Sequence, residues 1–359
     1  MPGLYIGSTS GFAGKNLLAM ALGSRYQNQG YRIGYMKPVG TLPREMDHQM
    51  GDEDAFFVQD ALGLSQDLEL VTPVLITPEM RNQAFVQGCP DLLDKIVSAY
   101  SELSRDVDIM LVCGSGSFLH AGKYCNVAGL DVSGSLGTKV ILIDRFIKEF
   151  YYDYIISAKE LLGPDLTGAI FNCIPEARMS EVTNNILPLF QRRDINLLGA
   201  IPEDTLLNAI RVSDLAQRLG GKIISVPSKQ DKIVENFLIG TMQVENFMTH
   251  FKKRKNSAVL VGGDRSDLQL VALEGKCPCL ILTGNLYPND IILTRSEVLG
   301  VPIMVVRDDT YTVAKKMETI LESSKLRDPK KISHGIQLVN SILDYDRIDA
   351  ALGLGQPSP

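Results

Sequence analysis

The stretch that decides the fold is Leu4-Tyr5-Ile6-Gly7-Ser8-Thr9-Ser10-Gly11-Phe12-Ala13-Gly14-Lys15-Asn16. A short apolar strand runs into a glycine-rich turn ending in Gly-Lys, and the helix-like run Asn16-Leu17-Leu18-Ala19-Met20-Ala21-Leu22 follows it. Glycines let the backbone curl so that several N–H groups point inward. Lys15 adds a full positive charge, and a helix N-terminus adds a partial one. Thr9, Ser10, Gly11, Gly14, Lys15 and Asn16 are therefore the candidate phosphate-binding residues. Two features depart from the usual pattern. Six residues separate Gly7 from Gly14, against the usual four, and Asn16 stands where Ser or Thr would hold magnesium.

Outward from this turn, apolar runs recur at Leu4–Ile6, Ile33–Met36, Ile109–Cys113, Val140–Ile143, Ala169–Asn172 and Leu197–Ile201. Most are continuous rather than alternating, as strands buried on both faces of a parallel sheet must be. Strand–helix alternation with a phosphate turn after the first strand predicts a doubly wound, mostly parallel α/β domain over residues 1–215. A second set starts near Lys222–Val226 and continues through Ala258–Val261, Leu280–Leu282 and Ile303–Val306. It predicts a smaller α/β domain over 222–325, with residues 326–359 as a C-terminal helix and fraying tail. Leu206–Leu219 reads as one helix, and Gly220-Gly221 supplies the break after it.

Composition excludes several classes. Of 359 residues, 45% are hydrophobic and 22% charged, an ordinary globular balance. A net charge of −6 argues against nucleic-acid binding, which needs a basic surface. The basic run Lys252-Lys253-Arg254-Lys255 reads as a solvated helix end. No apolar run reaches the length of a membrane span, and no basic, cleavable leader is read, so a cytoplasmic location is expected. The six cysteines are scattered and the four histidines unpaired. Reduced, mostly buried thiols are expected rather than a zinc site.

Further chemistry collects where the first domain's strands end. Met36-Lys37-Pro38-Val39-Gly40 places a second lysine near the first. Gly51-Asp52-Glu53-Asp54-Ala55 opens a helix with acids, which either cap it or ligate magnesium. Leu111–Ser117 opens into small residues that let a ligand approach. In the second domain Gly262-Gly263-Asp264-Arg265-Ser266-Asp267 follows a strand and opens a helix. Its glycines and guanidinium could bind a nucleotide phosphate. Alternatively Asp264 or Ser266 caps the helix and Arg265 pairs locally. A small α/β module of this kind also suits a homodimer.

The strand–GSTSGFAGKN turn, the Lys-Pro-Val-Gly strand end and the acidic helix start resemble the dethiobiotin synthetase-like P-loop family. Within it they are most similar to the amino-terminal domain of some phosphate acetyltransferases. The run Val261–Gln269, with Leu299–Ile303 and Asp309–Thr312, resembles a DRTGG domain. Together the likeness covers residues 3–325.

The resemblance implies ATP and Mg2+ as cofactors, with Lys15 bridging the β- and γ-phosphates and Lys37 neutralising the transferring phosphoryl group. It implies Asp54 or Asp52 as the magnesium ligand, with Thr9 and Ser10 lining the loop. It also marks two departures. A carboxamide at Asn16 replaces a hydroxyl, and the thiol of Cys113 stands where the family shows a glutamate, a poor exchange for a hard cation. Asp144, closing Val140–Ile143, fits a Walker-B-like acid that could compensate, or a strand-end cap.

The expected function is therefore an ATP- or ADP-binding protein, regulatory or weakly hydrolytic, with a DRTGG sensing or dimerisation module. The alternative is a magnesium-dependent ATPase or an ATP-dependent ligase that phosphorylates a small carboxylic acid, as dethiobiotin or cobyrinate amide synthases do. A scaffold with a vestigial loop is the third reading. No counterpart of the acetyl-transferring domain is read in these residues.

Overall fold

The computed structural model describes residues 1–46, 49–146, 151–322 and 328–354; the expected fraying at 355–359 lies outside them. The chain divides into two compact units, Met1–Glu203 with Leu326–Pro359, and Asp204–Lys325.

The first unit is built on six strands: β1 (Gly3–Gly7), β2 (Ile33–Met36), β3 (Ile109–Cys113), β4 (Lys139–Arg145), β5 (Leu166–Ile174) and β6 (Leu197–Pro202). They lie in the order β6-β5-β4-β1-β3-β2 with every neighbouring pair parallel. Every residue of β1, β2 and β3 is buried, so both faces are covered and the continuous apolar runs are explained. In register, Ile6 faces Cys113 and Gly7 faces Leu142. The carboxyl ends of β1, β3 and β4 therefore open side by side, where the strand order reverses and open α/β sheets bind ligands. Helix α1 (Lys15–Asn28) leaves the β1 turn directly and buries Leu18 to Gly23 and Tyr26. Helix α2 (Glu53–Ala61) follows a hairpin of Pro43–Met46 with Gln49–Asp52.

The C-terminal helices belong to this unit rather than forming a separate tail. Pro329–Asn340 and Tyr345–Leu352 place Val339, Leu343, Tyr345, Ile348 and Leu352 in the same core as Leu4 and Ile6. The Tyr26 hydroxyl donates to Asp349 at 2.7 Å, and the Arg25 guanidinium lies 3.8 Å from the centre of the Tyr345 ring.

The second unit carries β7 (Lys222–Ser225), β8 (Asn236–Ile239), β9 (Ser257–Gly262), β10 (Leu280–Thr283) and β11 (Ile303–Val305), ordered β7-β11-β10-β9-β8. Only the edge strand β7 runs antiparallel to its neighbour. Helices α3 (Val244–Phe251), α4 (Ser266–Glu274) and α5 (Asp290–Leu299) connect its parallel strands.

The segment expected as one helix, Leu206–Leu219, is broken. Thr205–Asn208 forms one turn, Ile210–Arg211 pairs with Ile233–Val234, and the helix proper is Val212–Leu219. Val212, Leu215, Ala216 and Leu219 pack with Leu260, Ile281 and Met304, so packing places this helix in the second unit rather than at the end of the first. Gly220 ends it with a left-handed φ of 63°, as the glycine pair suggested.

The cysteines also depart from expectation. Cys89 and Cys125 form a disulfide with Cα atoms 5.3 Å apart. Beside it Phe85, near the end of the helix Pro78–Gln87, packs on Tyr124 in the short turn Lys123–Cys125. Cys113, Cys277 and Cys279 are free and buried, as read.

Candidate functional site

The loop after β1 folds around the Lys15 ammonium. Lys15 Nζ donates to Ser8 Oγ at 2.5 Å and reaches the Ser10 and Gly116 carbonyl oxygens at 3.3 and 3.4 Å. Burial holds the lysine below its ordinary pKa, while the neighbouring Cys113 and Asp144 side chains oppose that shift. Gly14 makes the turn possible. Its φ is +109°, and a β-carbon there would stand 2.5 Å from the Asn172 side-chain nitrogen. That nitrogen donates to the Ala13 carbonyl at 3.0 Å, so the end of β5 braces the loop.

Asp144, at the end of β4, holds the opposite side. Its oxygens accept from Thr9 N at 3.0 and 3.2 Å and from Thr9 Oγ1 at 2.5 Å. Burial pushes its carboxyl up to about 6, against the pull of the Thr9 hydrogen bonds and Lys15. A cation beside it would relieve that cost.

The acidic helix start splits its two roles between two residues. Asp52 is fully buried and caps α2, accepting from Asp54 N and Ala55 N at 2.9 and 3.1 Å. It also accepts from Thr41 N and Leu42 N, both at 3.0 Å, and from Lys37 Nζ at 2.7 Å. These donors saturate both carboxylate oxygens. Asp54 stands 3.6 Å from Lys37 Nζ. The candidate magnesium pair is thereby reduced to Asp54, and Lys37 is held beside it by Asp52.

The two departures from the resembled pattern meet. The buried Cys113 thiol donates to Asn16 Oδ1 at 3.6 Å, across a separation of 97 residues. Burial raises the thiol pKa, so it stays protonated and offers no anionic ligand. Among the described residues no cluster of three or more His, Cys, Asp or Glu could hold a metal alone. A magnesium carried mainly by a phosphate ligand and water needs no such protein cage.

Gly262, Gly263, Asp264 and Arg265 lie in the second unit, where β9 turns into α4. The buried Gln269 amide donates to the Gly262 and Gly263 carbonyls at 3.2 and 3.0 Å and fixes the turn. The Arg265 guanidinium is held by both oxygens of Asp267, at 3.0 and 2.9 Å, which is the local pairing. Sequence reasoning gave no role to Ser8 or Asn172, and placed Gly116 only within the run of small residues Leu111–Ser117. Only the position of Asn172 at a strand's carboxyl end, before a turn, could have singled it out.

A buried lysine in a glycine turn, between the first strand and helix of a doubly wound parallel sheet, defines a P-loop NTPase-like α/β domain. A family model described as an AAA domain (AAA_26) matches residues 2–211, more than half of the chain, and a DRTGG domain model matches residues 214–320. The chain belongs to this AAA domain family and carries a DRTGG domain after it. It is 21% identical to the phosphate acetyltransferase of Synechocystis sp., over 96% of this chain and 51% of that protein. The chain thus spans about half the length of that relative. It is 28% identical to the ATP-dependent dethiobiotin synthetase of Methanocaldococcus jannaschii, over 50% of this chain and 82% of that one. Among solved structures it is similar to cobyrinic acid a,c-diamide synthase from Mycobacterium smegmatis with bound ADP and magnesium. That match has a TM-score of 0.35 and 16% identity, and covers 57% of this chain and 87% of the other. Among the described residues no helix is long and apolar enough to cross a membrane.

Proposed function

We propose that this chain binds ATP or ADP through the Lys15 loop and acts as a regulatory or weakly hydrolytic nucleotide-binding protein. The observation that carries this reading is the Lys15 ammonium, on the first residue of α1, held among Ser8, Ser10 and Gly116. That is the arrangement a phosphate requires. Ser10, Gly11, Gly14 and Asn16 would complete the cradle. Magnesium would arrive with the nucleotide, held by Asp54 and Asp144, and would neutralise charge on the phosphates. With a carboxamide at Asn16 and a neutral thiol at Cys113, nucleotide binding is spared more than phosphoryl transfer, which depends on metal and cationic stabilisation.

The DRTGG module would sense a ligand at Gly262–Arg265 or form a homodimer. Dimerisation draws support from Ile291 and Val298 of α5, which are 69% and 70% exposed, with the exposed Tyr287 and Leu286 just before that helix. The expected compartment is the cytoplasm, where the thiol pool would work against the Cys89–Cys125 disulfide.

Calorimetry on the native chain and on Lys15→Ala tests the reading. The native chain should bind ATP or ADP, and Lys15→Ala should lose at least about tenfold in affinity, or about 1.4 kcal/mol. Equal affinities contradict it. The second reading, an ATP-dependent ligase for a small carboxylic acid, is favoured by Lys37 standing beside Asp54 at the same site. Native turnover in the ordinary enzyme range, about 1–1,000 per second, would select the ligase. Slow turnover that rises in Cys113→Glu with Asn16→Thr selects the regulatory protein.

A further inference from the structure

The second unit holds a cleft of about 700 Å³ at the amino ends of β9 and β10, within the range of about 300–1,000 Å³ typical of small-molecule sites. Phe251, Val271, Cys277 and Pro278 form its apolar floor. Met248 and Leu270, each 37% exposed, are its walls. The floor is built rather than incidental. Phe251 stacks on the fully buried Phe247 at 5.5 Å, and Gly275 leaves room where a β-carbon would collide with the Phe251 ring.

The rim is cationic. Lys252, Arg254 and Lys255 follow the end of α3, and Lys276 follows the end of α4. None of these four makes an ion pair among the described residues. The acid among the lining residues, Glu274, has both oxygens held by Arg295 at 2.6 and 2.9 Å. Matching the two helix C-termini, each worth about half a negative charge, would take about one cation. Four leave a positive surplus over an apolar floor.

We infer that this cleft binds a nucleoside polyphosphate, its base lying on Phe251 between Met248 and Leu270 and its phosphates among Lys252, Arg254, Lys255 and Lys276. The site is separate from the Lys15 loop. It is also separate from Gly262–Arg265, which lies at the other end of β9, roughly 17 Å away at the usual rise per residue. It assigns the basic run a task beyond solvating a helix end.

The chain contains no tryptophan, so Leu270→Trp would place its one indole on the cleft wall. The measurement uses the full chain with Lys15→Ala, so a failure of the loop site and a failure of the cleft are read separately. ATP should change the indole emission saturably. Lys252→Glu with Lys276→Asn should weaken half-saturation by about tenfold or more, and added salt should weaken it too. Asparagine is chosen at 276 because that residue has φ 53°, which asparagine tolerates. Equilibrium dialysis without the reporter should find ATP retained by Lys15→Ala and lost when the two cleft changes are added. No emission change at millimolar ATP, a response that survives the charge changes, or a response to oleate but not ATP would each overturn the inference.

Discussion

A carboxylate at the end of a buried strand must find donors or keep its proton, and Asp144 shows both tendencies. Thr9 supplies its donors, yet burial raises its carboxyl to about 6. An unfolded aspartate titrates near about 3.9. The folded form therefore binds the proton more tightly, and Asp144 favours folding at low pH. It costs stability as pH rises from about 4 to about 6. In urea melts the native chain should lose about 2 kcal/mol relative to Asp144→Asn between about pH 4.5 and 7.5. Parallel pH profiles for the two would show that the carboxyl is not raised. Lys15, Lys37 and Asp144 were legible in the sequence because each closes a strand or a glycine turn, where charge has few bland uses. Asn172 was not, because its task is a hydrogen bond to Ala13 across 159 residues, which local pattern cannot register. The Cys113–Asn16 contact was hidden in the same way; each residue was noticed, but their meeting depends on the β1–β3 register.

The start of helix α2 sets a structural carboxylate, Asp52 at its cap, two residues before Asp54, the proposed magnesium ligand. Asp52 ties the helix N-terminus, the Thr41–Leu42 turn and Lys37 into one buried knot. Removing it leaves the Lys37 charge without its closest counter-ion, a loss of about 3–5 kcal/mol for a buried pair. Asp52→Ala should therefore melt far below the native chain. Asp54→Ala should stay within about 1 kcal/mol of it while weakening the magnesium dependence of ATP binding. The reverse ranking in thermal melts and magnesium titrations would exchange their roles. At this scale the continuous apolar strands were readable to within three residues at each end, since burial on both faces leaves no alternation to misread. The hairpin of Pro43–Met46 with Gln49–Asp52 was not, because Gln49 and Met50 are exposed and its polar residues carry no period. Asn236–Ile239 escaped for a related reason: it is a short edge strand with a single buried residue.

For the whole molecule, the two strand sets predicted two domains over 1–215 and 222–325; the chain's own packing divides it into two compact units, Met1–Glu203 with Leu326–Pro359 and Asp204–Lys325. The helix Val212–Leu219 and the C-terminal helices each went to the core that buries their apolar faces, a choice that sequence proximity does not reveal. A fragment of residues 204–325 should therefore melt cooperatively. One starting at Lys222 would lose Val212, Leu215, Ala216 and Leu219 from its core, and should be several kcal/mol less stable or aggregate. Equal melts for the two fragments would show that this helix is not part of the second fold.

The central claim is that the Lys15 loop holds a nucleotide, and a crystal grown with ATP and magnesium tests it most directly. The account predicts β- and γ-phosphates over the loop between Ser10 and Asn16. Lys15 Nζ should have turned from Ser8 to the phosphate, and the metal should stand near Asp54 and Asp144. A loop without nucleotide, with Lys15 still bonded to Ser8 Oγ at saturating ATP, would contradict it.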